Sequence, residues 1–446
     1  MMNNPKLSSD AQARTPPDNP SVHGGRCILP RFMCLEQSIL DDTRQDICTE
    51  DEQFLFMSRR KGRYERRKAQ RDAKRFQRSI DVGGLHEVFT YHDLYNAGKQ
   101  CCKGVRWKNS VQRFEQHLFS GTAIRRRALL DRKWKPGAYV HFTLAERGKV
   151  RPIDAPRIQD RQIHKAFTQK VLLPLYKPSM IWNNGASLPG KGFEFSKREL
   201  REDLRYHFRR YGREGNIILL DFRKFFPSVS HELVFERHKK FLLNDDLRKV
   251  ADDIVNTVPG GKGLPLGVEP SQAEMIAFPS PLDNYIKCQL SLKCAGHYMD
   301  DYYIIVPPDR DPKEIMRLVV AKAESLRLTI SPSKSRIVPL TKPFRYCKAK
   351  YLLTETGRVI MCGNRDGMKR ARRKIKAFYF KIQNGEMTYE DLWTSVNGIF
   401  AYFEGYNDHN RILRLRRLFY AVFGFSPERI ENFRERGIKG NEIHCS

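Results

Sequence analysis

Three aspartates carry the chemistry that this sequence suggests. Asp300 and Asp301 follow Tyr298 and Met299 and precede an apolar run, a pattern that predicts a β-hairpin with two adjacent carboxylates at its tip. Asp221 ends an earlier apolar run. Like charges at strand ends repel each other unless a cation lies between them. The three carboxylates therefore predict a site for two Mg²⁺ ions and in-line phosphoryl transfer.

The segments around these aspartates show both helical and strand patterns. A helix at 230–255, a glycine-rich loop at 260–268 and a helix at 271–290 separate Asp221 from the hairpin. The further expectations are helical segments within 90–135, a hairpin at 139–156, a helix at 312–327, a hairpin formed by 346–351 and 358–361, and basic helices within 366–436.

The charge of the chain points to nucleic acid. The 446 residues carry 81 Lys and Arg against 51 Asp and Glu, a net charge of +30, with a pI near 9.8. A membrane surface is the rival partner for such charge, but there is no apolar stretch of about 18 residues and no visible signal peptide. We therefore expect a cytoplasmic protein without a membrane partner. The basic run 58–78 predicts a helix that binds an RNA backbone, and a merely solvated basic helix is the alternative.

Six sequence blocks, in order, resemble those of reverse transcriptases, and the resemblance covers roughly residues 100–420. The match of several blocks in the family's order is far more specific than any one block. The blocks are residues 151–156 with 160–166, residues 184–192, residues 221–229, residues 263–272, residues 298–301 and residues 331–335.

This resemblance implies an α+β fold, namely a right-hand polymerase with fingers, a palm of antiparallel sheet plus helices, and a helical thumb. The implied division is an N-terminal extension at 1–80, flexible and then basic, fingers at 81–210, a palm at 211–350, and a thumb with C-terminal helices at 351–446.

The resemblance also implies roles for the residues of the metal site. Asp221 and Asp300 would hold both Mg²⁺ ions, and Asp301 would assist them. The carbonyl of Phe222 would add a further ligand. Phe226, five residues beyond Asp221, would block a ribose 2′-hydroxyl, so deoxynucleoside triphosphates would be the preferred substrates; a place in the core is the alternative for this ring.

Basic residues would complete the substrate site. Lys149 and Arg151 would hold the triphosphate, unless they belong to an ordinary solvated strand. Lys334 would lie near the pyrophosphate and donate a proton, with a surface lysine as the alternative.

The segment that opens the predicted helix at 271 departs from the retroviral pattern. Ser271 is expected at the helix cap after Pro270, and Gln272 is placed among the substrate-binding residues. Leu266 stands where many relatives carry glutamine before the glycine, which suggests low copying fidelity. This form resembles enzymes of diversity-generating retroelements and of defence systems.

The function expected from these features is RNA-directed DNA synthesis on a dedicated, noncoding RNA, in antiphage defence. Error-prone synthesis in a diversity-generating retroelement, an inactive RNA-binding protein on the same fold, and an RNA-dependent RNA polymerase are the alternatives. No endonuclease or RNase H signature and no retron thumb signature is visible. The sequence leaves open the template, the primer, the priming hydroxyl and whether the protein forms a homo-oligomer.

Overall fold

A helix rich in arginine and lysine is the first element described. The computed structural model describes residues 50–146 and 149–430, without the side chains of 50–61, 63, 64, 146 and 149, and it divides the chain into two units, Met1–Ala69 and Gln70–Ser446. Helix α1 spans Glu50–Val82, which confirms a helix over the basic run, and its side chains at Arg66, Arg67 and Lys68 are exposed. The stretch predicted to be flexible lies mostly outside the described residues.

A helical layer interrupted by one hairpin precedes the main sheet. Its core includes Phe89, Leu94, Phe167 and Tyr176, all fully buried. The elements are α2 (Leu85–Val88), α3 (Tyr91–Cys102), α4 (Asn109–Gln116), α5 (Leu118–Leu130), β1 (Val140–Glu146), β2 (Lys149–Ala155), α6 (Ile158–Phe167), a π-helical segment (Thr168–Leu172), α7 (Leu173–Tyr176), a 3₁₀ turn (Lys177–Ser179) and α8 (Phe193–Tyr211).

A four-stranded antiparallel sheet forms the centre of the second unit. Its strands are β3 (Asn216–Asp221), β4 (Ala295–Tyr298), β5 (Asp301–Val306) and β6 (Arg336–Pro339), in the order β4-β5-β3-β6. The side chains of β3 alternate between two cores: Ile218 and Leu220 face one, and Ile217 and Leu219 face the other. Burial on both faces explains why this strand is apolar throughout.

Helices surround this sheet, and a smaller sheet follows it. The helices are α9 (Phe225–Ser228), α10 (His231–Phe241), α11 (Asp245–Val255), α12 (Glu269–Ala277), α13 (Ser280–Asn284), a π-helical segment (Tyr285–Gln289) and α14 (Pro312–Ser325). The small antiparallel sheet contains β7 (Phe344–Tyr346), β8 (Ala349–Leu353) and β9 (Val359–Cys362), and its core joins that of α8. These elements confirm the predicted mixture of helices and antiparallel sheet.

Three helices with a core of their own end the described chain: α15 (Arg365–Gln383), α16 (Tyr389–Glu404) and α17 (His409–Phe423). No helix in the described part of the chain has the length and apolar character needed to cross a membrane.

Two predicted helices are wrong in their extent. The helix expected at 230–255 is divided into α10 and α11, because the Asn244 side chain caps α11 by accepting a hydrogen bond from Leu247 N. The helix expected at 271–290 begins at Glu269 and is broken into shorter pieces. Ser271 is therefore not a cap: it is buried inside α12, and Pro270 occupies the first turn.

Candidate active site

The register of the central sheet places two aspartates side by side. Asp221, the last residue of β3, lies directly opposite Asp301, the first residue of β5. Tyr298 at the end of β4 also pairs with Asp301, so Met299 and Asp300 form the turn of the hairpin. Met299 has a φ of 55°, a left-handed conformation that is uncommon for a side chain of this kind. The backbone thus brings the three aspartates together as the sequence predicts.

The carboxylates at this hairpin share one electrostatic field. Burial, with the nearby charges of Asp300 and Asp221, raises the pKa of Asp301 to about 6. Burial and the charge of Asp221 also raise the pKa of Asp300, although Lys334 and Arg151 oppose that rise. Each raised pKa shows that a negative charge here is costly without a cation.

Lys334 supplies a positive charge to this cluster. Its Nζ donates a hydrogen bond of 2.5 Å to Asp221 Oδ1, and that bond raises the pKa of the lysine. The surrounding loop is held to the backbone of Asp221, because Ser331 N donates to Asp221 O and Asp221 N donates to Ser335 Oγ. Lys334 is therefore not an isolated surface lysine.

No set of three or more His, Cys, Asp or Glu side chains within residues 50–146 and 149–430 already converges on a common metal position. Asp221 is paired with Lys334 in the described structure.

The two phenylalanines after Asp221 have different environments. Phe225 is buried in the core and stacks on Phe222, whereas Phe226 is half-buried and meets Phe225 edge-on. Phe222 and Ile330 form an isolated antiparallel β-bridge. Its two hydrogen bonds are made by the flanking residues, since Arg223 N donates to Thr329 O and Ser331 N donates to Asp221 O. In such a bridge the central residue's own carbonyl points away from its partner.

The β1–β2 hairpin brings one of its two predicted basic residues near the aspartates. Arg151 lies opposite Leu144, is exposed, and acts electrostatically on Asp300. Lys149 lies opposite Glu146 in the backbone, but its side chain is outside the described residues. Asp154 N on the same hairpin donates to Leu266 O, which ties the hairpin to the glycine-rich loop.

Gln272 lies on the first turns of α12, where it lines a cavity of about 340 Å³ with Gly267 and His164. The structure thus places it on a cavity wall and gives it no helix-opening role.

Sequence reasoning missed the support behind the hairpin. His297 on β4 is fully buried, stacks on Tyr302, and its Nδ1 lies 3.2 Å from the carbonyl oxygen of Met299. Its Nε2 lies 3.3 Å from Asp283 Oδ2. A histidine within an otherwise apolar strand was the available signal, but its partner Asp283 is distant in sequence.

The comparison with protein families agrees with this geometry. Residues 135–351 match the family model described as reverse transcriptase (RNA-dependent DNA polymerase). The matched range includes the three aspartates and Lys334. The chain therefore contains a reverse transcriptase domain, and the predicted enzyme class, an RNA-directed DNA polymerase acting as a nucleotidyltransferase, is confirmed. No curated protein matches the chain.

Proposed function

Because residues 135–351 contain a reverse transcriptase domain, we propose that this enzyme copies a dedicated noncoding RNA into DNA and acts in antiphage defence. The observation that carries the catalytic part is the direct pairing of Asp221 with Asp301, one residue from Asp300. RNA-directed synthesis follows from the domain; the identity of the RNA and the defence role are our inference.

The donor set fits Mg²⁺. Carboxylate oxygens are the ligands that this ion prefers, and the cluster already holds one cation, the ammonium of Lys334. Asp221 and Asp300 would hold two ions, with Asp301 and the Phe222 carbonyl assisting. When bound, Mg²⁺ would lower the pKa of the primer hydroxyl and neutralise the phosphates.

The protein's own groups would orient the substrates. Arg151 and Lys149 would hold the triphosphate of the incoming nucleotide through charge-assisted hydrogen bonds. Phe226 would exclude a ribose 2′-hydroxyl, since its half-buried ring is braced by Phe225. Lys334 is protonated at neutral pH, as its raised pKa requires, and its Nζ would be the proton donor to the leaving pyrophosphate.

The fold supports the proposed division into fingers, palm and thumb. The helical layer with its hairpin would be the fingers at 81–210, and the four-stranded sheet would form the palm at 211–350. The helices α15, α16 and α17, whose own core is separate, would be the thumb within 351–446. The extension at 1–80 contains most of the basic helix α1, whose exposed arginines suit an RNA backbone.

A diversity-generating retroelement enzyme is the second candidate. The segment with Leu266, Ser271 and Gln272 favours this candidate. Leu266 stands where many relatives carry a glutamine, so the amide that they place near the incoming nucleotide is missing at that position. The error rate on a defined template separates the two: dense substitutions support diversity generation, and accurate copying argues against it.

The test of the proposal is to express the protein with its native flanking DNA, recover the bound nucleic acid, and sequence it. A discrete structured RNA with DNA copied from it, together with reduced phage plating, supports the proposal. The variant Asp300→Asn with Asp301→Asn should bind the RNA but make no DNA and give no protection. The control is Asp309→Asn, an exposed carboxylate beyond β5. DNA synthesis by the double variant would exclude the aspartates as the site.

A further inference from the structure

The cavity of about 340 Å³ beside α12 has the size of a small-molecule site. Residues from α6, from the following π-helical segment, from α12 and from the loop containing Ser187 line it. Leu173 on its wall and Met299 of the aspartate hairpin both pack against the buried cluster of Ala186, Leu188 and Ile276.

Two buried polar side chains on its wall lack hydrogen-bond partners within the described part of the chain. His164 is 1% exposed and Thr168 is 3% exposed. Neither ring nitrogen of His164 nor the hydroxyl of Thr168 has a hydrogen-bond partner among the described residues. The two residues are four apart on adjoining helical segments, so they share a face. Buried polar groups without partners are costly, which is why such groups commonly meet a ligand.

The two buried polar side chains of the wall are uncharged, and the charged side chains of the lining are exposed Arg161 and half-buried Glu269. Burial lowers the pKa of His164 to about 3, so at neutral pH its ring has one donor and one acceptor. Thr168 and Gln272 each add a donor and an acceptor. The nearby carboxylate of Glu269 is paired with Lys165 at 2.9 Å. Among the lining residues only exposed Arg161 is cationic, so an anion would be met at one point, whereas a flat neutral ring with donors and acceptors at its edge would match the buried groups.

We propose that this cavity binds an unpaired nucleobase of the RNA strand, held at its edge by His164, Thr168 and Gln272. Exposed Arg161, at the cavity lining, would meet the adjacent phosphate. The inference rests on the proposed copying of RNA, since single-stranded RNA is the partner whose base edges are free. It gives the enzyme a preference for the base at one position of the template.

The test is binding of a single-stranded RNA of defined sequence in which one base at a time is removed while its phosphate remains. Wild-type protein should lose about tenfold in affinity when one particular base is absent, and little elsewhere. The variants Thr168→Val and His164→Phe keep the side-chain outlines but remove hydrogen-bonding groups. In each variant, removal of that base should have little further effect on RNA affinity.

The matched control is Thr122→Val. Thr122 is also buried, but its hydroxyl donates to Leu118 O and it does not line the cavity. This variant should keep the full loss at the sensitive position. Equal affinity at every position, or the full loss retained in both cavity variants, would overturn the inference.

Failure of the cavity assignment can be told apart from failure of the proposed function. If the enzyme copies the RNA into DNA but no single base matters for binding, the cavity assignment fails and the proposed function stands. If no DNA is made, the proposed function fails, and the affinities still decide whether the cavity holds a base. A cavity that holds only water would also give equal affinity whichever base is removed.

Discussion

The Nδ1 atom of His297 donates a hydrogen bond of 3.2 Å to the carbonyl oxygen of Met299, the left-handed residue in the turn of the aspartate hairpin. Because a carbonyl only accepts, this nitrogen must carry the proton. On its other side His297 faces Asp283, whose second oxygen accepts a hydrogen bond of 2.9 Å from Tyr302. We infer that these residues position the turn and touch no substrate.

Replacing His297 by Phe should lower kcat by roughly tenfold to a hundredfold and leave KM and RNA affinity nearly unchanged. The ring stack on Tyr302 would survive, but the bond that fixes the turn would be lost, and small displacements of catalytic groups are costly. The measurement is steady-state DNA synthesis. His207→Phe is the matched control, because buried His207 also bonds a backbone carbonyl, that of Glu214, away from the hairpin. An equal fall in kcat in both variants would contradict a positioning role for His297.

Replacing Phe226 by Ala should reduce discrimination against ribonucleotides by roughly tenfold while deoxynucleotide incorporation continues. The physical reason is the space opened under the sugar. Competitive single-nucleotide incorporation measures the ratio. Phe235→Ala removes another partly buried ring on the same core and should leave the ratio unchanged. An unchanged ratio in both variants would place Phe226 with the core residues.

Replacing Lys334 by Ala should slow nucleotide addition by about a hundredfold, the contribution expected of a positioned proton donor. Single-turnover kinetics with a bound primer and template measure this step. The exposed lysine variant Lys342→Ala is the control. Lys334→Arg should restore the ion pair with Asp221 but only part of the rate, since arginine is a poor proton donor. Full activity in Lys334→Ala would contradict the proposal.

Two carboxylates around buried His238, that of buried Glu274 and that of half-buried Asp252, predict a pH-dependent stability. Burial acts to lower the pKa of His238, but Glu274 and Asp252 outweigh it and raise the pKa to about 9. Because this lies above the unfolded value of 6.5, the stabilisation is complete below about pH 6.5 and is lost as the pH rises through about 9.

The free energy of unfolding of the wild-type protein should therefore fall by up to about 3 kcal/mol more than that of His238→Gln between neutral pH and about pH 10. Urea unfolding at each pH provides the comparison. Cysteines and tyrosines that titrate in the same pH range are present in both proteins. The difference between the two proteins in the pH dependence of the free energy of unfolding therefore reports His238. Parallel pH profiles would show that the proton is not held as the geometry suggests.

The sequence predicts the local parts of this molecule well. Apolar runs that stop at Asp221 and begin after Asp301 place both residues at strand ends, and the structure pairs them in register. The regular antiparallel hairpin at β1 and β2 follows from its alternation and turn residues. These features depend on neighbours along the chain, so local patterns suffice.

The rest depends on contacts that no local pattern encodes. His297 N donates to Asn183 O, and Gly185 N donates to His297 O, which joins the hairpin to a loop more than a hundred residues earlier. Gly296 must be glycine, since a Cβ there would lie 2.7 Å from the Asn183 Cβ. The start of α12 at Glu269 was missed because Ser271 resembles a cap, whereas its burial decides otherwise.

The direct opposition of Asp221 and Asp301 has a consequence for directed evolution. Two like charges across a strand pair weaken the sheet, so Asp301→Asn should raise the melting temperature while abolishing synthesis. A library of this protein selected for heat resistance alone would therefore be enriched in inactive sequences at this pair. Selection for a robust enzyme must score DNA synthesis in the same round.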